Sequence, residues 1–125
     1  KMISIYFHIL FLFFTQFQEN DWKTYLSNNL VNIEFKFEEC NNQVSGSRFN
    51  YYFVKLTNKT SSNVLINFYL SEEPTNDEEM QKKIILNPYS SKKSDCSDKY
   101  WRLYFYSEKK LNALPIKNIE IIEIN

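Results

Sequence analysis

The stretch "VNIEFKFEEC" constrains the fold more than any other part of this chain. Val31, Ile33, Phe35 and Phe37 alternate with Asn32, Glu34, Lys36 and Glu38. Successive side chains of a β-strand point to opposite faces, so a period of two predicts a strand with one dry and one wet face. Comparable runs follow it. "FNYYFVKLTN" (49–58) is rich in aromatics, and "VLINFYL" (64–70) puts Val64, Ile66, Phe68 and Leu70 on one side. The polar "NKTSSN" between them predicts a hairpin. "KIILN" (83–87) reads as a strand that stops at Pro88, "YWRLYFY" (100–106) is strongly β by composition, and "IKNIEIIEI" (116–124) is a last strand.

The remaining segments read as connections. "NDWKTYLSNNL" offers Asp21 as a helix cap before Trp22, Tyr25 and Leu26, so a single turn laying Trp22 on the core is expected. In "SEEPTNDEEM" (71–80) Thr75 and Glu78 have capping-box spacing, and a short helix through Lys83 competes with a loop. "PYSSKKSDCSD" reads as a polar connection. Six to seven short strands separated by turns predict an all-β, antiparallel two-sheet sandwich, with a barrel as the alternative.

Ahead of the strands, the chain from Met2 to Phe17 carries no Asp, Glu, Lys or Arg. A run of about 16 residues is shorter than the roughly 20 of a transmembrane helix. With Lys1 before it and a polar exit after it, the run reads as a removable signal helix over 1–20, leaving a sandwich domain over 21–125. An uncleaved anchor and a buried strand are the alternatives. A lipid anchor is not expected, since the first cysteine is Cys40. About 105 residues then suit one domain with one core. In an exported chain the two cysteines, Cys40 and Cys96, are expected to pair.

Composition narrows the function classes. Fifteen basic and fifteen acidic residues cancel. The lysine doublets at 82–83, 92–93 and 109–110 sit near acids, so nucleic acid is not an expected partner. The only histidine, His8, lies in the signal, which removes Ser-His-Asp and Cys-His nucleophiles and the usual zinc sites from the mature chain. Gly46, the only glycine, cannot build a phosphate loop. No cofactor is expected. The acids of 72–79 read as solvated charge, with a calcium site as the alternative, although the EF-hand alternation is missing. Asn58 opens a glycosylation pattern, "NKT".

The aromatics carry the strongest functional signal. In "YWRLYFY" Trp101, Leu103 and Phe105 share one face, and Tyr100, Arg102, Tyr104 and Tyr106 share the other. Tyrosine and arginine are enriched in binding surfaces. Placing Val54 and Leu56 in the core leaves Phe49, Tyr51, Phe53 and Lys55 outward. The candidate binding residues are therefore Tyr51, Phe53, Tyr100, Arg102, Tyr104 and Tyr106, on one merged patch if the two strands are neighbours.

The order of an apolar signal, Trp22, an alternating strand ending in Cys40, then "VKLTNKTSSNVLINF", "LNPYSS" and Cys96 ahead of two last strands resembles small exported β-sandwich proteins of Gram-negative bacteria. The strand–Asn–turn–strand part also resembles immunoglobulin-like and fibronectin-like domains. The resemblance implies an immunoglobulin-like fold and a periplasmic or extracellular location, and transfers no functional residue. The expectation is a non-enzymatic binding module with a protein or cell-envelope partner, touching a membrane only through an uncleaved signal. A carbohydrate-binding module is the alternative, and catalysis by carboxylates alone a third reading.

Overall fold

A computed structural model of the chain describes residues 22–41, 46–99 and 101–124. The expected signal over 1–20, the cap at Asp21 and the candidate residue Tyr100 lie outside the described residues. Eight strands are described: β1 (Lys23–Ser27), β2 (Val31–Asn41), β3 (Arg48–Asn58), β4 (Asn63–Leu70), β5 (Gln81–Leu86), β6 (Ser91–Lys93), β7 (Tyr104–Tyr106) and β8 (Ile116–Ile124). They form two antiparallel sheets. One runs β1-β2-β3, with both β6 and β7 on the free side of β3; the other runs β5-β4-β8.

The dry faces read from the sequence meet between the sheets. Val31, Ile33, Val54, Leu56 and Leu103 pack from the larger sheet against Val64, Ile66, Phe68, Leu70, Ile84, Leu86 and Ile116. Burying each such side chain is worth about 1.5–3 kcal/mol, so this seam is the main source of stability.

Four local expectations are corrected. Segments 49–58 and 64–70 do form strands, yet not a hairpin: β3 pairs β2 while β4 pairs β5 and β8 in the opposite sheet. A polar connection suits a hairpin and a crossing between sheets equally well. Asn58 decides for the crossing. Only 1% exposed, it shares its amide hydrogens among the carbonyls of Ser62, Leu86 and Asn87, at 2.7, 3.1 and 3.0 Å. Its Oδ1 accepts from the Thr60 amide and hydroxyl.

The turn expected around Trp22 is instead the edge strand β1. It is closed onto β2 by Asn28, whose Oδ1 accepts from the amides of Leu30 and Val31. A strand lets β1 pair its backbone with β2, which a single unsupported helical turn could not match. Between 71 and 83 only a 3-10 turn, Glu78–Met80, forms, and Asp77 rather than Thr75 caps it. β5 takes over directly at Gln81, because Lys82 and Ile84 already stand opposite Phe68 and Ile66.

The fourth correction concerns 100–106. Among the described residues of this segment only Tyr104–Tyr106 is strand, and Arg102 adopts a left-handed φ of 57°. The reason lies in how the edge is built. β6 pairs residues 55–57 of β3 and β7 pairs residues 51–53, so the two are collinear halves of one edge strand. Segment 94–103 leaves that line and returns to it. Its neck is closed where the Leu103 amide donates to the Ser94 hydroxyl (3.1 Å), with both residues fully buried. The Leu103 carbonyl accepts from the Val54 amide.

Candidate functional site

The register of the larger sheet fixes what lies on its outer face. Glu34, Lys36, Glu38 and Cys40 of β2 stand opposite Lys55, Phe53, Tyr51 and Phe49 of β3, and Tyr104 and Tyr106 of β7 stand opposite Phe53 and Tyr51. The aromatic rows of β3 and β7 therefore do merge. Tyr51 is at the centre, stacked on Phe53 (5.5 Å) and edge-on to Tyr104 (5.7 Å) and Tyr106 (5.9 Å); Phe49 meets Tyr106 at 6.1 Å. Such ring pairs favour edge and offset geometries and hold one another in place.

Cys40 also lies on this outer face, and it is bonded to Cys96. Since Cys96 belongs to the excursion 94–103 from the β6–β7 edge, the bridge draws that excursion across β3. The excursion is compact. Asp95 Oδ1 accepts from the amides of Ser97 and Asp98 and from the Ser97 hydroxyl, and Lys93 approaches its other oxygen at 3.5 Å. The Ser97 hydroxyl bond, with the two amides and the Lys93 charge, holds the Asp95 carboxyl below the usual range against the opposing effect of burial. Lys99 places its ammonium 5.1 Å from the Tyr51 ring centre.

The expected site is altered in two places. Phe53 points outward as read, but it is 0% exposed and contributes no contact surface. Arg102 does not join the tyrosines. Among the described residues no ring contact links it to them, and its charge acts on Lys82 of the opposite sheet. Burial first and Arg102 second keep the Lys82 ammonium below its ordinary pKa. The left-handed turn at Arg102 breaks the alternation, so the stripe read from "YWRLYFY" holds only from Leu103 onward. What stays accessible is Tyr106 (48%) and Phe49 (37%), with Tyr51 and Tyr104 half-buried beside them.

Three groups at this site were not assigned to it from sequence. Trp22 lies on the outer face, with the ammonium groups of Lys36 and Lys55 at 4.9 and 6.0 Å from its ring. Lys36 also pairs with Glu38 at 2.9 Å. Lys99 is the third. The alternation that puts Lys36 and Lys55 outward beside a tryptophan was available in the sequence; the position of Lys99 depends on the bridge. A cleft of about 390 Å³ opens next to Tyr106, lined by Phe105, Ser107, Lys109 and the acids Glu72 and Glu108.

Among the described residues no three His, Cys, Asp or Glu side chains gather as a metal site. The acids of 72–79 are spread on the surface, and Asp77 is engaged with the Glu79 amide at 3.0 Å. No helix among the described residues is long and apolar enough to cross a membrane. No family model, curated protein or solved structure matches this chain.

Proposed function

We propose that this protein is an exported, non-enzymatic binding module whose partner is a protein or a component of the cell envelope. The single observation that carries the reading is the cluster of Phe49, Tyr51, Tyr104 and Tyr106 on the outer face, left accessible beside a tethered excursion. Mutually braced tyrosines lose little entropy on binding and give large contacts. The Cys40–Cys96 bridge supports export, since disulfides persist in oxidising compartments. The strand order supports an immunoglobulin-like domain. β3 pairs the β6–β7 edge while the next strand, β4, pairs β8, matching the adjacency of strands B with E and C with F in that plan. The sequence resemblance to small Gram-negative exported sandwiches points the same way.

The test is cross-linked capture from an envelope fraction of the source cells, comparing the parent protein with Phe49→Ala and Tyr106→Ala. Reduced capture with unchanged melting temperature supports the reading. Capture that both variants retain in full rejects it. A second reading, binding of a glycan, is favoured by the cleft where Tyr106 meets Glu72 and Glu108, since carboxylates accept from sugar hydroxyls. A glycan array on which the parent binds and Tyr106→Ala does not would select it.

A further inference from the structure

The inner face of β2 is not covered along its whole length. Val31 and Ile33 are sealed at 0% and 1% exposure, whereas Phe35 and Phe37, on the same face, are half-buried. Two features of the topology leave them so. β2 and β3 each have eleven residues and outrun β4, which has eight. Among the described residues β1 pairs β2 only as far as Phe35, and none of them stands beside Phe37 on that side. The result is a cleft of about 410 Å³ lined by Lys23, Phe35, Lys36, Phe37, Tyr52 and Lys110.

Its chemistry is one-sided. Phe37 and Tyr52 form the floor, with ring centres 4.8 Å apart. The Tyr52 hydroxyl is already engaged, accepting from the Leu111 amide at 2.8 Å, and that bond fixes Lys110 at the rim. Lys23 stands opposite Phe35 in the register and forms the other rim. Lys36 is committed to Glu38 and Trp22, while Lys23 and Lys110 are exposed and have no ion pair among the described residues. Among the described residues no carboxylate lines the cleft. The volume is in the range of small-molecule sites, which are mostly apolar with a few placed polar groups.

We infer that this cleft binds a small amphipathic anion, an apolar body resting on Phe35, Phe37 and Tyr52 with one acidic group held between Lys23 and Lys110. A neutral ligand would leave the lysines unused, and a cation would be repelled by them. The site is on the opposite face of the sheet from the tyrosine cluster, so it stands or falls independently of the proposed function.

The probe is 8-anilinonaphthalene-1-sulfonate, an anion with an apolar aromatic body, and its uncharged counterpart N-phenyl-1-naphthylamine. Titration followed by fluorescence, with amide-shift mapping by NMR on the folded protein, reports both affinity and place. The expected result is one site whose shifts centre on Phe35, Phe37, Tyr52 and Leu111. Lys23→Ala with Lys110→Ala should weaken the sulfonate about tenfold, as loss of charge-assisted contacts does. The uncharged probe should bind about tenfold more weakly to the parent and be indifferent to the lysine change. Both lysines are exposed, so the double variant keeps its fold, checked by its unchanged spectrum. Equal binding of the two probes, unchanged affinity in the lysine variant, or shifts confined to Tyr51, Tyr104 and Tyr106 would each overturn the inference.

Discussion

At the scale of single residues, Asn58 is the most demanding side chain. It satisfies backbone groups of two connections at once, so Asn58→Ala strips partners from three carbonyls and one amide. A loss of about 2–4 kcal/mol in urea denaturation is expected, since buried groups left unpaired cost about 1–3 kcal/mol each and neighbours relax in part. Its burial also closes the glycosylation pattern, because a glycan on Nδ2 would displace all three carbonyls. Arg102 behaves oppositely. Its φ of 57° is costly for a residue with a side chain, and its charge opposes that of Lys82. Arg102→Gly should therefore raise stability by about 0.5–1 kcal/mol and leave binding at the tyrosines unchanged. Asp95 gives the pH dependence. Its folded pKa lies below the unfolded value of about 3.9, so its contribution is complete above that value and is lost as pH falls through the folded pKa. Asp95→Asn should be less stable than the parent at pH 7, and the gap should close in melts run progressively below about pH 4.

At the scale of elements, the excursion 94–103 depends on its tether. Cys40→Ser with Cys96→Ser releases a loop spanning 56 positions and should cost no more than about 4 kcal/mol. Hydrogen exchange should then speed up in 94–103 more than in β2 and β3. Should β2 and β3 loosen equally, the excursion is no separate unit. Much of this was legible in the sequence. Alternation gave the faces of β2, β3 and β4, because each buries one side and a slip would expose it. It also held an unread clue: Cys40 is an even position in a strand whose odd positions face the core. Any bridge from Cys40 must lie on the outer face and bring its partner's loop over it. What could not be read is the split of one edge strand into β6 and β7. Three-residue strands carry too little pattern, and "SKK" shows none. The left-handed turn takes Arg102 away from the tyrosines and Phe53 is buried, whereas Tyr51, Tyr104 and Tyr106 do meet, because the register alone brings them together.

At the scale of the whole molecule, one apolar seam joins both sheets, so no described strand is stable apart from it. Leu103 ties the excursion into that seam and is fully buried. Leu103→Ala should cost about 2–5 kcal/mol and lower the entire unfolding transition rather than detach a part. Tryptophan fluorescence and far-ultraviolet circular dichroism should give coincident curves. The interrupted edge has a further consequence, for self-association. A growing fibril adds chains along an unbroken row of free amides and carbonyls, and here that row is cut into two pieces of three residues each. The detour thus also spoils this flank of the sheet as a template for another chain. Deleting 94–102 and joining Lys93 to Leu103 would heal the strand, with Leu103 opposite Val54, and the repaired protein should deposit as thioflavin-positive aggregate under conditions where the parent stays clear.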